Sequence, residues 1–253
     1  MKHRLNILLY ALSVTLICLF FRDNDYFILL LLGVTLISFI ALSLGVLFMQ
    51  YNYFLKSTTE LSNNRVLLTF DDGPHPTNTT KILDILAKED IKAVFFIIGE
   101  KAEQYPQIVK RIVEEGHLIG NHSYAHNNFM SMYSKGRLRK ELVKAQETLY
   151  KISGKHIVLF RPPIGYTNPN YAAVLKDLKL KCIGWTLRSY DTVHKEPTKL
   201  NDRLVSMTKP GQIVLLHDNL DVSANALRTY VSKAKTNGII FASSLDIKTI
   251  FDA

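Results

Sequence analysis

Two stretches without a charged residue open the chain: Leu5 to Phe21, 17 residues, and Phe27 to Met49, 23 residues. Neither has a polar face, so neither reads as an amphipathic core helix. The second is long enough to cross a bilayer with some tilt, and the first is at the short end for a span. A run of that length also suits a signal-peptide core, but the residues after it, Phe20-Phe21-Arg22-Asp23, offer no small-x-small cleavage site. The pattern predicts a transmembrane helical hairpin, residues 5–21 and 27–49, with Arg22–Tyr26 as its turn. Residues 1–49 then form a membrane anchor in contact with lipid through residues 5–49, and 50–64 a short polar tether.

Beyond the tether, strand-like and helix-like periods alternate to the C-terminus. Strands are predicted at Arg65–Phe70, Ala93–Ile98, Leu118–Gly120, Ile157–Phe160, Lys181–Trp185, Gln212–His217 and Gly238–Ala242. Helices are predicted at Thr79–Glu89, Tyr105–Glu115, Lys135–Ile152, Asn170–Lys179, Thr198–Met207 and Ala224–Thr236; in the third, Leu138, Leu142, Ala145 and Leu149 recur at three- and four-residue spacing. Alternation of this kind predicts an α/β fold with a parallel sheet. Residues 65–253 are too few for a closed eightfold barrel, so a distorted or incomplete (β/α) barrel of about seven parallel strands is expected.

Charge refines the picture only a little. The net charge is +9, most of it after Met49, which fits a solvated lysine-rich surface or an affinity for anionic headgroups and acidic glycans. No arginine-rich tract with interleaved aromatics points to nucleic acid, and nothing identifies a protein partner. Lys2 and Arg4 precede the first span and Lys56 and Arg65 follow the second, so the positive-inside rule places both ends, and the domain, in the cytoplasm; if only one span forms, the domain lies outside. Cys18 falls in a predicted span and Cys182 in an apolar strand, so the two do not pair.

Polar residues gather where the strands end. The first strand runs into Asp71-Asp72-Gly73-Pro74, the third into Asn121-His122 and on to His126, the fourth into Arg161-Pro162-Pro163, the fifth through Trp185 to Asp191, and the sixth into His217-Asp218. In a parallel α/β fold these ends share one face, so five clusters there make a site. His122 and His126, four apart, suit two imidazoles on one helical turn gripping a metal ion. Successive strand residues point in different directions, so one of Asp71 and Asp72 can complete the ligand set while the other acts beside an open position. Asp-Gly-Pro is also ordinary turn chemistry, which accounts for one aspartate but not for the matching histidines and arginine.

TFDDGP (69–74), HSYAH (122–126), RPPIG (161–165), WTLRSYDT (185–192) and IVLLHD (213–218) resemble, in order, the five motifs of the polysaccharide deacetylases, the NodB-homology enzymes of carbohydrate esterase family 4. The resemblance covers residues 65–253 and implies a distorted (β/α) barrel and metal-dependent removal of N-acyl groups, usually N-acetyl, from amino sugars. It implies Asp71 as general base, with Asp72, His122 and His126 holding a divalent metal, most often Zn2+. Arg161 would orient Asp71, Asp191 would steady His217, and His217 would protonate the leaving amine. The Ile164 backbone N–H would face the oxyanion, with isoleucine where tyrosine is usual. Leu215 and Trp185 are candidates for a small acyl pocket, or plain barrel core. In the fourth motif Arg188 replaces the family's flanking acid and Thr192 its tryptophan, which bears on the glycan groove more than on catalysis. His75 has no assigned role.

The substrate expected is an amino-sugar glycan: a polysaccharide, peptidoglycan or a lipid-linked sugar. The same residues would serve a deformylase or deacetylase of a polyprenyl-linked sugar, or, without turnover, a silent glycan-binding module. A non-haem iron oxygenase also uses two histidines and a carboxylate, but has no need of Arg161, His217 or a second aspartate.

Overall fold

The computed structural model describes residues 2–250; Met1 and residues 251–253, which the expected anchor and domain include, lie outside the described residues. Two helices, α1 (Lys2–Phe20) and α2 (Phe27–Leu47), pack as an antiparallel pair whose apolar side chains are mostly exposed. Both are long and apolar enough to cross a membrane. Polar side chains tie them together: Asn6 Nδ2 donates to Ser38 Oγ (3.2 Å) and to Tyr53 Oη (2.7 Å), and Tyr10 Oη lies 3.3 Å from Thr35 Oγ1.

Among the described residues one sheet of eight strands follows: β1 (Ser57–Thr58), β2 (Leu67–Gly73), β3 (Ala93–Ile97), β4 (Leu118–Asn121), β5 (Leu159–Phe160), β6 (Lys181–Ile183), β7 (Leu187–Arg188) and β8 (Ile213–His217). Every neighbouring pair is parallel, and the order β1-β6-β5-β4-β3-β2-β8-β7 leaves the barrel open between β1 and β7. Eight helices accompany it: α3 (Asn78–Lys88), α4 (Gly99–Gln104), α5 (Pro106–Glu114), α6 (Lys135–Ser153), α7 (Pro169–Asp177), α8 (Pro197–Met207), α9 (Asp221–Thr236) and α10 (Ser244–Ile250). This is the incomplete parallel barrel expected.

Strand periodicity sorts the core into two faces. Leu68, Phe70, Ala93, Phe95, Val214 and Leu216 pack outward under the helices; Leu67, Val94, Phe96, Ile213 and Leu215 fill the inside of the curl. Burial on both faces is why these strands read as unbroken apolar runs. The inward row of β2 continues past Leu67 to Thr69 and Asp71, and in the pairing with β8 those two stand opposite Leu215 and His217.

Three expectations need correction. The segment 238–242 is not a strand. It forms a single bridge, Val66 to Phe241, and lies across the start of β2 and β3, because Gly238 turns with φ +82° and Ser243 already caps the next helix through Asp246. The expected tether is not a loose spacer: Tyr53, Phe54, Leu55, Ser57 and Leu61 are buried, and β1 adds an edge strand beside β6. Three consecutive apolar side chains at 53–55 outweigh its polar composition. The second helix ends at Leu47, short of the expected Met49, which starts a short 3₁₀ turn, Met49–Tyr51.

Candidate active site

The five motif segments meet at the C-terminal ends of the strands. Asp71 is the last inward residue of β2. At Asp72 the backbone turns into the left-handed region (φ +68°), which brings its carboxylate round toward the histidines instead of to the opposite face. Gly73 follows where a Cβ would collide with the Asp218 carboxylate, and its bond to Pro74 is cis.

His122 and His126 do come together, but not on a helical turn. Both lie in the loop after β4, where Ser123 and His126 have φ of +68° and +48°. The Asn121 side chain accepts from Ser123 N (2.8 Å) and Ser123 Oγ from His126 N (3.0 Å), closing two side-chain turns that compete with a helix. Glu141, from α6, accepts from Tyr124 N and Ala125 N at 3.1 and 2.6 Å and holds the loop from outside.

The Nε2 atoms of His122 and His126 lie 3.4 and 3.1 Å from Asp72 Oδ1. One ligand atom from each of the three residues falls within 4.8 Å of the others. His122 Nδ1 is 2.8 Å from the Arg161 carbonyl, which can only accept; Nδ1 therefore carries a hydrogen, and Nε2 is the ring nitrogen turned toward Asp72. Asp72 Oδ1 is buried without a hydrogen-bond partner. An orphaned carboxylate oxygen facing two imidazole nitrogens is a donor set that fits a divalent cation of zinc type. Burial opposes ionisation of Asp72, but the two imidazoles outweigh it and hold its carboxyl well below the ordinary range.

Arg161 is fully buried under this triad. Its Nη1 donates to Asp71 Oδ1 (2.7 Å) and Thr69 Oγ1 (2.8 Å), Nε to the Ile183 carbonyl (3.0 Å) and Nη2 to the Gly184 carbonyl (2.8 Å). The guanidinium lies 4.2 Å over the Phe96 ring and 5.5 Å from the Trp185 ring. Asp71 Oδ2 is 3.8 Å from His122 Nε2, so the arginine fixes one oxygen of Asp71 and leaves the other toward the triad.

On the opposite side, His217 Nδ1 is 2.8 Å from Asp191 Oδ1, and Asp191 Oδ2 accepts from His217 N (2.7 Å) and Ser223 Oγ (2.6 Å). Burial alone would lower the His217 pKa. The Asp191 hydrogen bond and charge, aided by Asp71 and Asp72, outweigh it and raise it to about 9. Burial likewise opposes the Asp191 charge, and His217 and Ser223 hold its carboxyl below its usual value. The Asp218 carboxyl is pushed up to about 7, first by burial and then by the neighbouring aspartates, against one hydrogen bond from Thr79 (2.6 Å).

Ile164 sits in a turn at Pro163–Gly165 with φ +64°. Trp185 and Leu215 are both buried in the inner core, Trp185 against Gly165, so they form the floor under the site and not an open wall. Arg188 is exposed over the Tyr190 ring (5.3 Å), which Arg203 also approaches (4.7 Å), and Thr192 is exposed in the following turn. His75 lies three residues before α3, and its Nδ1 accepts from Asn78 N, the first residue of that helix, at 3.2 Å. Beside the triad opens a depression of about 360 Å³ lined by Asp72, Lys101, Ala125, His126 and Asn219 among others.

Sequence reasoning did not find Thr69, Glu141, Ser223 or Lys101, whose Nζ donates to the Asp72 carbonyl (2.7 Å). Thr69 alone carried a signal, a polar residue two before Asp71 on the inward row of a strand.

The family model described as polysaccharide deacetylase matches residues 58–183. The chain is 34% identical over 182 residues to a peptidoglycan-N-acetylglucosamine deacetylase of Bacillus cereus, covering 70% of this chain and 66% of that protein. It is 31% identical over 208 residues to the peptidoglycan-N-acetylmuramic acid deacetylase PdaA of Bacillus subtilis, covering 81% and 78%. It spans only 38% of some other curated relatives. Among solved structures it is similar to a Bacillus anthracis pseudoenzyme of carbohydrate esterase family 4, with a TM-score of 0.71 and 28% identity over 78% of this chain and 69% of that one. The chain belongs to the polysaccharide deacetylase family, carbohydrate esterase family 4.

Proposed function

We propose that this protein is a membrane-anchored hydrolase that removes N-acetyl or similar N-acyl groups from amino sugars of a glycan. The observation that carries the reading is the pair of supported titratable groups on adjacent strands: Asp71, held by Arg161, and His217, held by Asp191, flank the Asp72–His122–His126 triad. The printed activities of the Bacillus cereus and Bacillus subtilis relatives point to the same chemistry. The Bacillus anthracis relative is a pseudoenzyme, so kinship alone does not establish turnover. What favours turnover over silent glycan binding is that this chain keeps a base, an acid and all three ligand positions.

Asp72, His122 and His126 would hold the divalent cation, for which their nitrogen and carboxylate donors favour Zn2+. Once bound, such an ion supplies Lewis acidity and eases deprotonation of water. Asp71 accepts the proton of the attacking water, with Arg161 Nη1 holding its Oδ1 in place. The water oxygen bonds to the acyl carbon, the Ile164 N–H donates to the oxyanion that forms, and the C–N bond then breaks. His217 delivers its proton to the departing amine, which leaves poorly unless protonated. The products are the free carboxylate and the amino sugar. The apolar hairpin α1–α2 would anchor the enzyme.

Acetate released from N-acetylglucosamine oligomers by the full-length, zinc-loaded protein tests the reading. Activity should vanish with a chelator and return with Zn2+, and His126→Ala should lose both activity and stoichiometric zinc. Acetate release unaffected by chelation would refute the metal assignment.

A pH dependence follows from His217. Its pKa is raised above 6.5, so the imidazolium persists through neutrality and the acid is lost as pH rises through about 9. The Asp191 pair therefore contributes its stability in full below about pH 6.5, and loses it between there and about 9. The kcat profile should fall on its alkaline side near pH 9, and Asp191→Asn should move that limb to lower pH. An unmoved limb would remove Asp191 from this role.

A further inference from the structure

The end of α2 is fastened to the rim of the catalytic mouth. Thr167 N donates to the Val46 carbonyl and Thr167 Oγ1 to the Gly45 carbonyl, each at 3.2 Å. Thr167 is three residues past Ile164, so the proposed oxyanion turn lies within about 11 Å of chain from the hairpin. Met49, just beyond α2, is buried against Gly184, whose carbonyl accepts from Arg161 Nη2. Both attachments are at strand C-terminal ends, the face on which the site opens.

Between the two helices of the hairpin, beside Tyr53 and Phe54, runs a groove of about 480 Å³. It reaches from Tyr10 and Thr35, well inside the two helices, past Phe39 and Val46 to Pro169 at the start of α7. The rim of the mouth is apolar as well. In the loop after His126, Phe129 is 69% and Met132 79% exposed; in the loop after Asp191, Val193 is 66% exposed; and Ile164 is 43% exposed. Asn168 Nδ2 donates to the Ser131 carbonyl (2.5 Å), tying the Phe129–Met132 loop to the start of α7 beside the groove. Single exposed apolar residues need no explanation, but these stand on the same face as a docked apolar hairpin. Arg188 and Lys195, both exposed on the far side of the mouth, suit the phosphates of anionic headgroups.

We propose that the catalytic mouth is seated on the bilayer the hairpin crosses, with Phe129, Met132, Ile164 and Val193 in the interfacial layer, and that the substrate is an amino-sugar glycan held at that surface by a lipid anchor. The substrate half rests on the deacylase reading above, and the seating half on the hairpin spanning the membrane. A glycan carried by a lipid in the same leaflet meets the mouth at high effective concentration. A soluble glycan has to enter between the mouth and the headgroups.

The test uses the full chain in nanodiscs of phosphatidylethanolamine and phosphatidylglycerol, with Cys18→Ser and a spin label at Met132→Cys or, at the exposed end of α8, Met207→Cys. The label at 132 should be relaxed by oxygen and shielded from a water-soluble nickel complex, and the label at 207 the reverse. Equal access of the nickel complex to both overturns the seating, whatever the enzyme hydrolyses. In the same discs, acetate release from a polyprenyl-diphosphate-linked N-acetylglucosamine should exceed that from soluble N-acetylglucosamine oligomers on the order of 10²-fold at equal bulk concentration. Equal rates with a shielded label overturn the lipid-anchored substrate and leave the seating. A shielded label with neither substrate hydrolysed overturns the deacylase reading, and the substrate assignment with it. Phe129→Ser/Met132→Ser, altering only exposed side chains, should selectively slow the lipid-linked substrate; equal slowing of both would count against the rim's role.

Discussion

Asp71→Asn is expected to lower kcat/KM roughly 10²–10⁴-fold, the usual contribution of a positioned acid or base, while zinc content stays at that of the unaltered protein. Asparagine keeps the shape and one acceptor oxygen, so Arg161 Nη1 retains a partner where Asp71 Oδ1 now sits at 2.7 Å. What it loses is the capacity to take a proton from water. The three residues proposed as ligands are untouched: Asp72 reaches the triad through its own left-handed backbone, independently of Asp71. A metal assay beside the kinetics separates the two aspartates, because Asp72→Asn should lose zinc as well as rate. Full activity in Asp71→Asn would remove Asp71 as the base.

The largest stability loss is expected at Arg161. Arg161→Met would leave the Asp71 carboxylate without its partner and the Ile183 and Gly184 carbonyls without donors, all inside the barrel. Removing one member of a buried pair costs about 3–5 kcal/mol, mainly because an uncompensated charge stays behind. Burial already pulls the guanidinium pKa down, and the Asp71 charge opposes that pull, so each group depends on the other. A denaturant melt of Arg161→Met against the parent measures the loss, and an unchanged midpoint would refute it. The double variant Asp71→Asn/Arg161→Met should recover part of the stability but none of the activity, since it removes the orphaned charge and not the need for a base.

How much of this was legible in the sequence depended on the range of the interactions. The inward row of β2 was readable because strand periodicity is local, and because Asp71 and Asp72 break an apolar run abruptly. The hairpin helices were readable from length and composition. The loop conformation of His122–His126 was not: four-residue spacing suits a helix, and the outcome turned on Asn121 and Ser123 side chains bonding to backbone, with Glu141 bracing from another element. The two-residue strands β1 and β7 carry too few positions to show a period, and exist only because neighbours present unpaired edges. Segment 238–242 had the composition of a strand but lies where one bridge is all the sheet offers. Left-handed backbone at Asp72, Ser123, His126, Ile164 and Tyr190, one or more in four of the five motifs, has no sequence signature beyond the motifs themselves. Such strain persists where surrounding structure over-determines it.

The stretch between hairpin and barrel is anchored at both ends: Ser57 Oγ donates to the Met49 carbonyl (2.9 Å), Ser57 N to Asn52 Oδ1 (2.6 Å), and Ser57 pairs in register with Cys182. Its length is therefore not free to drift. One residue added or deleted there would withdraw Met49 from Gly184 and disturb a carbonyl that Arg161 needs, so an insertion far from any motif would be felt as an active-site lesion. The same linkage makes a poor boundary for trimming: a fragment beginning at Lys56 sheds the helical hairpin and, with it, Met49, a side chain of the barrel's own core.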